Sequence, residues 1–119
     1  MAESKMLEAS KDFAVEIVKM CGEISGERHE YVLTKQLVRS ATSIGANIHE
    51  SKYAQGTADF ISKMQIALKE CYESEYWLEL LDRTGYISDE KFSRVYNECG
   101  AIRRMLISSI NTVKKNASR

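Results

Sequence analysis

No proline interrupts any of the 119 residues, and apolar side chains recur along the chain at steps of three and four. Proline removes a backbone donor and collides with the preceding turn, so its absence permits long helices. A three-four step lines side chains along one face of a helix, whereas a strand needs a step of two. The chain is therefore expected to be all-α.

Four periodic segments emerge from this spacing. The first helix is expected over about residues 4–25, with Phe13, Ile17, Met20, Cys21 and Ile24 on one face and Gly26 as its C-terminal cap. The second is expected over about residues 31–53, on a stripe of Leu33, Leu37, Ala41, Ile44 and Ile48. Its middle, Ser40-Ala-Thr-Ser-Ile-Gly-Ala-Asn47, is built of small residues. Gly45 weakens a helix interior by roughly 1 kcal/mol relative to Ala, which suggests either close approach of another helix or a flexible hinge.

The third helix is expected over about residues 57–84, with Thr57 as N-cap, Asp59 in the first turn and Gly85 as terminator. Its stripe is a heptad, Phe60, Met64, Ala67, Cys71, Ser74, Leu78 and Leu81, the pattern of left-handed helix packing. The fourth is expected over about residues 88–115. Ser88 caps it, Asp89 and Glu90 favour the positive end of its dipole, and Lys114 and Lys115 suit the negative end. Its stripe is Phe92, Val95, Cys99, Ile102, Leu106, Ser109 and Val113, and residues 116–119 are expected to fray. Short turns between helices of this length make an antiparallel up-down-up-down four-helix bundle the economical fold, one domain over residues 1–119.

Charge narrows the function classes. The 17 basic and 17 acidic residues cancel, unlike the surplus of an autonomous nucleic-acid binder. The balance is uneven along the chain. From Ser88 onward, Lys91, Arg94, Arg103, Arg104, Lys114, Lys115 and Arg119 face only Asp89, Glu90 and Glu98, and the earlier residues carry the matching acidic excess. This implies either complementary helix faces or a basic surface for RNA, DNA or an acidic protein. Cys21, Cys71 and Cys99 sit among apolar residues without a paired spacing and read as small core residues. With no disulfide framework, no hydrophobic leader and no run of the roughly 20 apolar residues that a membrane span needs, the expectation is a cytoplasmic protein that does not enter a membrane.

The residues of enzyme chemistry are missing. A di-iron bundle needs Glu-x-x-His, but His29 follows Gly26 and His49 follows Ala46 at that spacing. No Cys/His cluster suits zinc, so no metal is expected. Ser40, Ser43 and His49 share a helix without a glycine-rich elbow, and no phosphate-binding loop occurs, so neither catalysis nor a cofactor is expected.

One polar constellation remains. Arg39, Ser43, Asn47 and Glu50 lie on one face of the second helix, and Lys69, Glu70, Glu73 and Trp77 form a band on the third. Arg39 is expected to bridge to Glu70 or Glu73 as a buried pair that fixes helix register, with Asn47 satisfying groups nearby. A ligand pocket is the competing reading.

Several stretches carry a resemblance: Asp12-Phe-Ala, then Leu33-Thr-Lys-Gln-Leu-Val-Arg-Ser-Ala-Thr-Ser-Ile-Gly-Ala-Asn-Ile-His-Glu50, Ala58-Asp-Phe-Ile-Ser-Lys63, Ile66-Ala-Leu-Lys-Glu70, and Glu73 to Leu81 with its Glu-Tyr-Trp-Leu centre. They resemble the four-helix-bundle family named for intervening sequences in bacterial 23S ribosomal RNA genes, over about Phe13 to Lys115. His49 departs from the small residue usual in that family. The resemblance implies homopentameric rings without an assigned activity. A relative in fold, the accessory variability protein of diversity-generating retroelements, partners a reverse transcriptase and binds nucleic acid through a basic surface, which the neutral balance here does not match.

The expectation is a non-enzymatic interaction or scaffold protein, a homo-oligomer and by resemblance a pentamer, with a possible protein partner. Tyr31, Tyr53, Tyr76, Tyr86 and Tyr96 either build its subunit contacts or form ordinary amphipathic surface. The alternative is an accessory protein that binds RNA or DNA through phosphate contacts by Arg103, Arg104, Lys114 and Lys115.

Overall fold

The computed structural model describes residues 2–118, in which α1 spans Ala2–Arg28, α2 Val32–Ser51, α3 Thr57–Arg83 and α4 Asp89–Ala117. No strand occurs among the described residues. Each helix packs on its sequence neighbours and α1 closes the ring on α4, while the backbones of diagonal helices stay apart. The result is an antiparallel up-down-up-down four-helix bundle, 52 Å long and 22 by 20 Å across. Among the described residues no helix is long and apolar enough to cross a membrane.

The apolar stripes face one core. Phe13, Ile17, Leu37, Ile44, Met64, Leu78, Val95 and Leu106 are fully buried, and the three cysteines fill it as free thiols. The stripe of α1 starts earlier than expected, since Met6 and Leu7 are buried too. That of α4 leaves the expected heptad after Leu106: Ile110 takes the core position, and Ser109 and Val113 are half-buried beside it.

The helix ends depart from expectation in ways that packing explains. α1 does not stop at Gly26. It continues to Arg28, whose side chain reaches the carbonyl of Gly85 at 3.5 Å and lies 4.6 Å from the ring centre of Tyr86, tying the last turn of α1 to the α3–α4 turn. His29 then breaks the helix in the left-handed region, at φ 56°, where glycine is the usual residue.

α2 begins at Val32, and its cap comes from outside. The Glu30 carboxylate accepts from the N–H groups of Val32, Leu33 and Thr34 at 3.0, 2.9 and 2.9 Å, satisfying three donors that a helix start leaves free. α2 ends at Ser51 because the bonds of Lys52, Tyr53 and Ala54 tighten to carbonyls three residues back. Thr57 is not a cap but the first residue of α3; Gly56 precedes it at φ 133°, and Asp59 closes the turn by accepting from the Gln55 N–H at 3.1 Å. The cap at Ser88 is as expected, its hydroxyl accepting from the Lys91 N–H at 3.1 Å. Asn116 and Ala117 are helical rather than frayed, and Arg119 of the basic set lies outside the described residues.

Gly45 is a site of close approach and not a hinge. It lies inside α2, and a Cβ there would stand 2.9 Å from Ser10 Oγ of α1.

Candidate functional site

The α2–α3 interface carries the polar constellation, and its register is set by three cross-links. Arg39 meets Glu70 at 3.3 Å and Glu73 closer still, Ser40 meets Ser74, and Glu50 meets Lys63 at 3.2 Å. From Arg39 and Ser40 forward to Glu50 on α2, the partners run back on α3 from residues 70–74 to Lys63, as antiparallel helices require. The Trp77 indole donates to Glu73 at 2.9 Å, so Arg39, Glu70, Glu73 and Trp77 form one cluster. Ser43 donates instead to the Arg39 carbonyl at 2.7 Å, and Asn47 to the Ser43 carbonyl at 2.8 Å, both within α2. Lys69 is exposed and joins neither.

The cluster is not the buried pair that was expected. Arg39 keeps 49% of its side chain exposed and Glu73 34%, because both stand at the outer rim of the seam and not beneath it. Ser40 and Ser74, one residue further in, are the buried polar contact of this interface. Ser74 stands on the heptad stripe of α3, but nothing in α2 taken alone marks Ser40 as its partner.

The basic surplus of α4 is largely answered by its neighbours. Lys91, at 3.1 Å, and Arg94 both pair with Glu16 of α1, and Arg103 donates to Glu75 of α3 at 2.8 Å while lying 5.7 Å from the ring centre of Tyr72. Glu75 raises the pKa of Arg103 against an opposing effect of burial, so this guanidinium is held in place and is not a free phosphate contact. Arg104, Lys114 and Lys115 have no acidic partner among the described residues.

The tyrosines divide. Tyr31, Tyr53 and Tyr76 are exposed, but Tyr86 and Tyr96 pack against the core, and the Tyr96 hydroxyl donates to Glu79 at 2.9 Å. Tyr72, Val15, Val18, Val32 and Ile66 are further large exposed apolar side chains that lie off the core stripes.

Chemically reactive groups are few. Burial, with Glu30 nearby, pushes the Cys21 thiol up to about 12, and a hydrogen bond with Cys71 together with burial pushes the Cys99 thiol higher still. Neither supplies a thiolate nucleophile near neutrality. Among the described residues no three His, Cys, Asp or Glu side chains are grouped to hold a metal.

One titrating pair escaped the sequence reading because its members stand on different helices. Glu16 of α1 and Glu98 of α4 line the same stretch of the α1–α4 seam and influence each other's protonation. Burial and Glu16 raise the pKa of Glu98. For Glu16 burial acts upward, but Lys91, Glu98 and Arg94 outweigh it and hold the carboxyl below its usual value.

Comparisons with known proteins agree with this architecture. The family model described as 23S rRNA-intervening sequence protein matches residues 2–108. A crystal structure of a protein of unknown function, from the S23 ribosomal protein family of Bacteroides thetaiotaomicron, is 48% identical with a TM-score of 0.91. That alignment covers 93% of this chain and 99% of the other. No curated protein matches the chain.

Proposed function

We propose that this chain, which belongs to the family of 23S rRNA-intervening sequence proteins, works as a non-enzymatic subunit of a homo-oligomer, a pentameric ring whose outer faces engage a partner. The observation that carries this reading is the set of large apolar side chains on the outer helix faces. Val15 and Val18 stand one turn apart on α1, and Tyr72 and Tyr76 one turn apart on α3. Each apolar Å² removed from water contributes about 25 cal/mol, and tyrosine is enriched where subunits meet. The rim cluster of Arg39, Glu70, Glu73 and Trp77 serves structure, fixing the α2–α3 register that presents these faces. Three free buried thiols suit a reducing compartment, the cytoplasm.

Native mass spectrometry and light scattering test the assembly. A pentamer at micromolar concentration is expected, with Val15→Glu or Tyr76→Glu shifting it toward smaller species. A monomer of the unaltered chain would overturn the reading.

A second reading rests on Arg104, Lys114 and Lys115, cations without acidic partners among the described residues. A ring would repeat them, so binding of RNA or DNA would be multivalent and salt-sensitive. A gel-shift titration with no complex even at low salt would remove it.

A further inference from the structure

We propose that the groove between α1 and α4 binds a small single-chain organic anion, its carboxylate held at the rim and its alkyl tail along the floor. Of the four seams in the ring, α1–α4 is the least closely packed. Where the start of α1 passes the end of α4, the seam opens into a groove of about 720 Å³, within the range of small-molecule sites.

Its composition suits one class of ligand. Met6, Ala101, Met105 and Val113 give it an apolar floor, broken by the hydroxyls of Ser108, Ser109 and Thr112, and methionine adapts its shape to a chain laid against it. From Ala101 to Val113 the α4 wall runs about 18 Å at the rise of an α-helix, room for one extended alkyl chain. Both walls are helices with their backbone donors and acceptors already paired. Apart from the hydroxyls of Ser108, Ser109 and Thr112, they offer no ladder of donors and acceptors to the main chain of an extended peptide, whereas an alkyl chain asks for no hydrogen bond.

The rim sets the sign of the charge. Lys5 and Arg104 line the groove, and no ion pair among the side chains of residues 4–118 takes either of them. Arg104 and Arg103 also bring guanidinium nitrogens to 3.2 and 3.4 Å from the place a Cβ would occupy on Gly100. A single carboxylate, Glu75, answers the two, and it bonds Arg103. Lys5 and Arg104 thus place positive charge at this end of the groove, beside its apolar floor. The acidic residues of the same seam, Asp12, Glu16 and Glu98, lie further along, away from Lys5.

Displacement of anilinonaphthalene sulfonate from the full-length protein by dodecanoate, kept below its micelle concentration, tests the site. Dodecanoate is expected to displace the dye at one molecule per chain, with dodecanol weaker on the order of tenfold for want of a charge-assisted hydrogen bond. Arg104→Gln is expected to weaken dodecanoate to a similar degree, to leave dodecanol unaffected and to keep the helical circular dichroism. Lys5→Gln supplies the same comparison should the first variant misfold. Absence of displacement, equal binding of dodecanoate and dodecanol, or no effect of either variant would overturn the proposal. Capture of the protein by phosphatidylglycerol vesicles without binding of monomeric dodecanoate would overturn it too, by making the patch a membrane contact.

Discussion

Ser40 and Ser74 bring their hydroxyl oxygens to 2.9 Å across the α2–α3 interface, both fully buried. Ser40 also bonds the Leu37 carbonyl at 3.2 Å, so the pair links two backbones through two small side chains. Ser74→Ala removes one partner from a buried polar contact, and a loss of about 1 kcal/mol is expected. The double variant Ser40→Ala with Ser74→Ala should lose less than the two single losses together, because no orphaned hydroxyl remains. Urea denaturation of the four proteins measures this coupling, and strict additivity would show the hydroxyls to be independent.

Gly45 and Ser10 make a second cycle, with a change of sign. Gly45→Ala gains roughly 1 kcal/mol of helix propensity but drives a methyl to 2.9 Å from Ser10 Oγ. That oxygen is held by the Leu7 carbonyl at 2.7 Å in a fully buried site and has nowhere to turn. Overpacking typically costs about 1–3 kcal/mol, so the single variant should be less stable. In a Ser10→Ala background the nearest atom becomes the Cβ at 3.5 Å, an ordinary contact, and Gly45→Ala should then stabilise. Thermal melts of the four proteins decide it.

Glu30 ties stability to acidity at the start of α2. Burial acts to raise its pKa, but the N–H groups of Leu33, Thr34 and Val32 and the Thr34 hydroxyl outweigh it and hold the carboxyl below the ordinary 4.5. A depressed carboxyl contributes fully above that ordinary value, and the contribution is lost as pH falls through the folded-state value. Glu30→Gln should therefore cost about 1 kcal/mol at neutral pH and little at a pH well below 4.5. Denaturant melts at the two pH values give the comparison; an unchanged difference would show that the cap does not depend on its charge.

Glu98 has the opposite sign. Burial and Glu16 hold its proton more tightly in the folded state, so the like-charge penalty is absent at low pH and grows as pH rises through the folded-state value. Glu98→Gln keeps a donor toward Glu16 and removes a charge. A gain of about 0.5–1 kcal/mol is expected at neutral pH, shrinking to nothing below 4.5. Melting temperature followed across pH tests it, and a loss of stability at neutral pH would contradict it.

The chain alone discloses whatever repeats or sits next to its partner. Phe13, Ile17 and Ile24, or Met64, Cys71 and Leu78, announce their burial by spacing, and Ser88 announces its cap by the acidic pair Asp89 and Glu90 beside it. Arg39 was legible against Glu70 and Glu73 because two polar bands stood on neighbouring helices. The ends were less legible. His29 adopts a glycine-like backbone without being glycine, and Glu30 caps from two residues before the helix. Arg103 carries no local sign of Glu75, which lies 28 positions away in sequence and bonds it across the α3–α4 interface. Tyr86 and Tyr96 have the polar tip of a surface residue, yet their rings pack inward.

The looseness of the α1–α4 seam also bears on the order of assembly. The other three seams join helices adjacent in sequence, closed by short turns, so they can form by local zippering. The fourth must bring the two ends of the chain together, as in the contact of Glu16 with Lys91 across 75 positions. Closing a longer loop carries more entropy loss, and this seam has the least packing to offset it. It is the last joint to form and the first to breathe. Amides of the terminal helices should therefore exchange with solvent through partial openings, while the α2–α3 hairpin holds until the whole bundle unfolds.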